Sequence, residues 1–145
     1  MSLRASARPA TAADWPQVAA LRTRVFVEEQ GVPAGIEQDA HDATAVHALA
    51  EDDEGRVVAT GRLLVRGGRA VIGRMAVGAA ARGRGYGAAV LAELHRQAVA
   101  LDLTEVELHA QLPARGFYDR AGYTAVGGVY EEAGIAHVTM RRPLV

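Results

Sequence analysis

The chain has 145 residues, half of them hydrophobic, with a formal net charge of −1 and no cysteine. That length suits one domain with a proper core, expected over 1–145, and the missing cysteine excludes disulfides, thiolate metal ligands and a cysteinyl acyl-enzyme. All sixteen basic residues other than histidine are arginine; at a net charge near zero this points to GC-rich coding rather than to a nucleic-acid surface, so no nucleic-acid partner is expected.

At the N-terminus there is no apolar signal-peptide core, and nowhere does an apolar run reach the ~18 residues of a membrane span, so a cytoplasmic protein without a membrane partner is expected. Leu3 to Arg8 alternates loosely as a first strand ended by Pro9. Thr11 followed by Asp14, or Asp14 followed by Gln17, begins a helix, the second choice placing Pro16 in the first turn. Trp15, Val18, Leu21, Val25 and Phe26 give this helix its apolar stripe, and Gly31 with Pro33 ends it. GVPAGIEQDAHDATA follows without clear periodicity, as binding loops often do. Val46 to Glu51 reads as a strand, and Asp52 to Gly55 caps a hairpin into VVATGRLLVR. Gly67 and Gly68 then turn the chain into Arg69 to Val77, whose run of Val71, Ile72, Met75, Ala76 and Val77 suits a strand covered on both faces.

Next comes RGRGYG, Arg82 to Gly87, and then a helix in which Val90, Leu91, Leu94, Ala98 and Leu101 recur at three- and four-residue steps. A helix opening from a glycine loop offers unpartnered N–H groups and the positive end of its dipole, which together bind phosphate. Gly83, Gly85 and Gly87 let the backbone approach an anion, and Arg82 and Arg84 add charge. The loop is neither G-x-G-x-x-G nor G-x-x-x-x-G-K-[ST]; it reads R-x-x-G-x-G. Thr104 to Ala110 alternates as a strand, Pro113 opens a short helix to Ala121, and Tyr123 to Tyr130 with Ile135 to Arg141 closes the chain as a hairpin around Glu131 to Gly134.

Arg82, Gly85 and Gly87, placed after a strand and before a helix, resemble the acyl-CoA pyrophosphate loop of the GNAT superfamily of acetyl-CoA-dependent acyltransferases. FYDRAGY, Phe117 to Tyr123, resembles that family's F-Y-x-x-x-G-[FY] segment. VFVEEQGVP, HAQ and YEEAGIAHVTM resemble its ElaA-like branch, so the likeness covers nearly the whole chain. The resemblance implies an α/β (α+β) GNAT fold: a mixed, mostly antiparallel sheet with flanking helices, in the order β-α-β-β-β-α-β-α-β-β, around one central β-α-β acyl-CoA-binding unit. It implies acetyl-CoA as co-substrate, bound by Met75, Ala76, Val77, the loop Arg82, Gly83, Arg84, Gly85, Tyr86 and Gly87, and Phe117 and Tyr118.

Acyl transfer from a thioester to an amine needs a deprotonated amine, a place for the oxyanion and a donor for the departing thiolate. By its place in FYDRAGY, Tyr118 is the expected general acid. Backbone N–H groups at Met75, Ala76 and Val77 suit the oxyanion where parallel strands splay. For the base the candidates are Glu28, Glu29, His47, His109, Glu131, Glu132 and His137. Some family members carry a Glu on the strand before the loop; here that strand offers Val71, Ile72 and Arg74. Among the histidines, His137 stands first because it lies in the ElaA-like segment. Glu28 and Glu29, at the end of a helix bordering the cleft, are candidates for holding a cationic acceptor. Asp39, His41, Asp42 and His47 fit no standard ligand spacing, and no metal is expected.

The expected activity is transfer of an acetyl group from acetyl-CoA to a primary amine of a small molecule or peptide by direct attack in a ternary complex, with a homodimer as the candidate assembly. Two rivals are carried. RTRVFVEEQ with IEQDAHD distantly resembles acyl-homoserine-lactone synthases, which implies a different acyl donor. The other is a non-catalytic acyl-CoA-binding sensor.

Overall fold

In the computed structural model, which describes residues 5–144, both helix-start signals near the N-terminus are used. The Asp14 carboxylate accepts the Thr11 backbone N–H at 2.7 Å, closing a tight turn over Ala12–Asp14. Helix α1 (Trp15–Arg22) starts directly after it with Pro16 in its first turn, where a missing N–H costs nothing. It runs on into a π-wound stretch, Thr23–Glu29, and stops at Gly31. Such wide winding is uncommon and often marks a functional position; here it leads to Gln30, which lines the cleft described below. The segment without clear periodicity contains a one-turn helix, α2 (Ala34–Glu37), and a 3-10 turn, Ala40–Ala43.

Seven strands form one sheet. They are β1 (Arg8–Pro9), β2 (Val46–Glu51), β3 (Val57–Arg66), β4 (Arg69–Val77), β5 (Glu105–Gln111), β6 (Thr124–Glu132) and β7 (Ile135–Pro143). Their spatial order is β1-β2-β3-β4-β5-β7-β6, antiparallel throughout except for the parallel pair β4 and β5. The first strand is shorter than the alternation of Leu3 to Arg8 predicts: only Arg8 of that segment is in it, and residues 3 and 4 lie outside the described residues. The parallel pair is joined by helix α3 (Tyr86–Ala100), and α4 (Arg115–Arg120) follows β5. Val90, Leu91, Leu94 and Ala98 of α3 are buried against Leu63, Ile72, Leu108 and Met140 of the sheet. Each large side chain so placed contributes roughly 1.5–3 kcal/mol. On the opposite sheet face, Val18, Leu21, Val25 and Phe26 cover Leu49, Val57 and Ala76.

The central strand departs from the continuous buried run its sequence suggests. Ala70 and Ile72 pack in the cluster beneath α3, whereas further along Met75 and Val77 take that side and Ala76 joins the cluster beneath α1. The inward-facing phase therefore slips by one residue between Ile72 and Met75. A slip of one exchanges the faces of everything beyond it. At the slip the register against β3 is irregular between Thr60 and Arg62, and Arg74 has a φ of 53°, uncommon for a residue with a side chain. Opposite it, Gly61 leaves the space that the Met75 sulfur occupies; a Cβ there would also come within 2.9 Å of Leu94. Val71, Met75 and Val77 all border the cleft described below and are only partly buried.

Candidate active site

Strands β4 and β5 pair at three positions only, Ala70 to Ile72 against Val106 to Leu108. Beyond them β4 turns at the Arg74 bulge, while β5 stays on β7 as far as Gln111 opposite His137. Between the diverging strands opens a cleft of about 650 Å³. Alternate N–H groups of a strand point to opposite edges, so along Gly73 to Val77 those aimed away from β3 have no strand facing them. Met75, Ala76 and Val77 line this cleft, with Arg82, Tyr118 and His137.

The glycine loop lies beside the end of β4. Gly85 is the residue before α3 and has a φ of 85°, a conformation that L side chains rarely adopt. The backbone N–H groups of Gly85, Tyr86, Gly87 and Ala88 have no acceptor among the described residues. They and the helix dipole form an anion-receiving end. Gly87 is in close packing, since a Cβ there would lie 3.3 Å from Val77 and 3.6 Å from Phe117; Phe117 thus touches the loop helix rather than lining the cleft. Arg82 donates to the Val77 carbonyl at 3.1 Å and makes a two-pronged pair with Glu29 at 2.8 Å on each side. Arg84 is exposed.

Tyr118 is 7% exposed, packed edge-on to Phe117 and Tyr123. Burial pushes its phenol up to about 12, so it carries its proton throughout the neutral range, and its hydroxyl has no partner among the described residues. His137 is buried at the cleft wall. Its Nδ1 lies 2.7 Å from the Ile135 carbonyl. A carbonyl only accepts, so Nδ1 holds the hydrogen, and in the neutral ring Nε2 keeps its lone pair. That nitrogen is 3.7 Å from Glu132 Oε2, and the other oxygen of Glu132 is 3.4 Å from His109 Nδ1. Of the seven predicted base candidates, His109, Glu132 and His137 line the cleft together.

The others are elsewhere. Glu28 and Glu131 are exposed and outside the cleft lining, and Glu29 is held by Arg82 at the cofactor end. His47 donates from Nε2 to the Asp42 carbonyl at 3.0 Å and packs on Trp15. Asp39 and Asp42, from the set weighed as metal ligands, are engaged by arginines. Arg22 bonds Glu37 and Asp42, Arg62 bonds Asp39 and Asp42, and Arg74 reaches the Ile36 and Glu37 carbonyls and Asp39. Arg62 holds the Asp39 carboxyl down at about 2. This network pins the α2 segment over the Arg74 bulge, with Ile36 exposed at the cleft rim. Sequence reasoning missed Arg62, Arg66 and Arg74 as cleft residues, and also the amide pair in which Gln111 Nε2 donates to Gln30 Oε1 at 2.9 Å. No local signal marks them, because each partner lies on a distant element.

A mixed sheet split at one parallel pair, with an anion-receiving helix end at the split, defines the acyl-CoA-dependent class of N-acyltransferases. The chain belongs to the GNAT acetyltransferase family, whose acetyltransferase domain model matches residues 11–144. It is similar to the Bacillus subtilis protein YyaT, 32% identical over 94% of each chain. Among solved structures, an acyl-CoA N-acyltransferase from Pseudomonas aeruginosa is 37% identical, with a TM-score of 0.82 over 97% of this chain and 99% of that one. Escherichia coli ElaA is 28% identical, with a TM-score of 0.81 over 95% and 99%.

Proposed function

We infer that this chain transfers an acetyl group from acetyl-CoA to a primary amine by direct attack in a ternary complex. The observation that carries the reading is the cleft itself: a buried imidazole with a free lone pair and a buried phenol with a free O–H face one space, at the split of β4 and β5. Acyl-CoA, when bound, supplies the activated acyl group as a thioester. The N–H groups of Gly85 to Ala88 receive its pyrophosphate, and those of β4 that face the cleft hold the pantetheine arm and receive the developing oxyanion.

An ammonium cannot attack until it loses a proton, and His137 Nε2 takes it. The amine nitrogen then bonds to the carbonyl carbon as the carbon–sulfur bond breaks, the electron pair leaves with sulfur, and the nitrogen gives its second proton to water as the neutral amide forms. Tyr118 donates its O–H towards that sulfur. A free thiol titrates at roughly 8.5, so complete transfer from a phenol held near 12 runs uphill by ~5 kcal/mol. Tyr118 therefore acts chiefly by hydrogen-bonding the thiolate, which takes its final proton from water.

The test is thiol release from acetyl-CoA in the presence of a panel of amines, with mass spectrometry of the products. Acetylated amine at a rate above the uncatalysed background is expected. Turnover with longer acyl donors alone, or binding of acetyl-CoA without turnover of any amine, overturns it.

A further inference from the structure

When the charged groups around the cleft are matched to their partners, almost all cancel locally. Arg22, Arg62 and Arg74 are balanced by Glu37, Asp39 and Asp42, and Arg82 by Glu29. On the same sheet face, Arg69 and Arg141 are balanced by Glu105 and Glu107. Two cleft-lining charges remain. Arg66, on β3, has no carboxylate partner among the described residues; its contact is Nη2 to His41 Nε2 at 3.0 Å. Glu132, on β6, faces only the imidazoles of His109 and His137. Both are exposed and both line the cleft. The cleft thus presents an uncompensated cation on one wall and an uncompensated carboxylate, beside His137, on the other.

We propose that the acceptor is a short peptide-like zwitterion, its ammonium received at Glu132 and His137 and its carboxylate at Arg66. The proposal rests on the acetyl-transfer reading and adds the acceptor's class. Size follows from the sheet order. From β3 to β7 is three strand spacings, roughly 14 Å at the usual strand separation, and along the strands Arg66, paired with Arg69 at the start of β4, is about six residues, roughly 20 Å, from His137, paired with Gln111 at the end of β5. Even after the reach of the two side chains, a single α-amino acid is too short to touch both ends. An extended peptide gains roughly 3.3–3.6 Å per residue, so three or four residues span what remains of the diagonal of roughly 24 Å after side-chain reach and a hydrogen bond at each end. The walls between are apolar, with Leu64, Val71 and Ile135 along the cleft, which suits small apolar side chains.

The experiment compares alanine with di-, tri- and tetra-alanine, each as the free acid and as the C-terminal amide, in acetyl-CoA turnover by wild type and by Arg66→Gln. Arg66 is exposed, and its replacement leaves the core intact. For the tri- and tetrapeptides, kcat/KM is expected to be about tenfold or more higher for acids than for amides, the size of one charge-assisted hydrogen bond. Arg66→Gln is expected to abolish that ratio while leaving the amides unchanged, and alanine is expected to be a poor acceptor. Amides equal to acids, alanine as the best acceptor, or an acid preference that survives in Arg66→Gln overturns the proposal. Calorimetry with N-acetyl-trialanine and its amide gives the same comparison without chemistry. Weaker binding of the acid to Arg66→Gln than to wild type supports the docking even if no amine is acetylated, a result that sinks the acetyl-transfer reading alone; equal binding of acid and amide to wild type sinks the docking.

Discussion

Replacing Arg22 by Met puts the ion network to a quantitative test. Arg22 is 1% exposed and joins α1 to the α2 segment by bonds to the Glu37 carboxylate, the Glu37 carbonyl at 2.8 Å and Asp42 at 2.8 Å. Removing it leaves Asp42 with Arg62, 2.9 Å away, but leaves the carboxylate of Glu37, a residue 2% exposed, without a cation bonded to it among the described residues. An orphaned buried charge of this kind costs about 3–5 kcal/mol, and at this chain length the melting temperature falls by about 10–15 °C. Replacing both ends, Arg22→Met with Glu37→Leu, removes the orphan, and Asp39 and Asp42 still balance Arg62 and Arg74. That double variant should return to within about 2 kcal/mol of wild type, because a buried pair is often replaceable by apolar groups. Urea denaturation should be followed by circular dichroism, since Trp15 stacks 5.5 Å from the Arg22 guanidinium and its fluorescence changes with the substitution itself. A loss below about 1 kcal/mol in the single variant, or a double variant no more stable than the single, refutes the reasoning.

Three further outcomes follow from the site. Tyr118→Phe keeps the ring in its packed place, so calorimetry should show unchanged acetyl-CoA affinity while turnover falls about 10²-fold or more; near-full turnover with chemistry rate-limiting returns Tyr118 to a packing role. Gly85→Val forces a branched side chain into a left-handed conformation at the loop, and acetyl-CoA affinity should drop at least tenfold, ~1.4 kcal/mol, in a variant whose circular dichroism is unchanged. His95 is half-buried against Tyr123, and Arg142 donates to its Nδ1 at 3.1 Å; burial first, then that guanidinium, lower it to about 4. The fold resists charging this ring while the unfolded chain charges it near pH 6.5, so its contribution is complete above 6.5 and lost as pH falls towards 4, roughly 3 kcal/mol at most. Denaturation midpoints across that window should fall more steeply in wild type than in His95→Gln, and parallel curves count against it.

The element order is legible because each long element carries its own period: α3 in Val90, Leu91, Leu94 and Ala98, β5 in Val106, Leu108 and Ala110, all buried. The closing hairpin is legible from its turn, where Ala133 and Gly134 both take positive φ. What local pattern does not carry is the phase slip on β4. It depends on the hole at Gly61 across the sheet, and the run from Val71 to Val77 reads as apolar whichever way it faces. The α2 segment fails for the same reason. Its order is imposed by Arg22, Arg62 and Arg74, each from a different element, so its composition alone reads as a loop. At the site, the loop and Tyr118 follow from contiguous motifs. The partnership of His137 with Glu132 follows only from how β6 and β7 pair, and the position of Glu28 outside the cleft only from how the π-wound stretch after α1 turns its side chains.

The cations of the ion network have a chemical consequence for a protein that handles activated thioesters. A lysine amine is itself an acyl acceptor, and acylation erases its charge. A guanidinium, which stays protonated at any physiological pH, offers no comparable nucleophile. With arginine at every such position and no lysine anywhere in the chain, the contacts that brace the α2 segment over the cleft are inert towards the reagent that the cleft is shaped to hold.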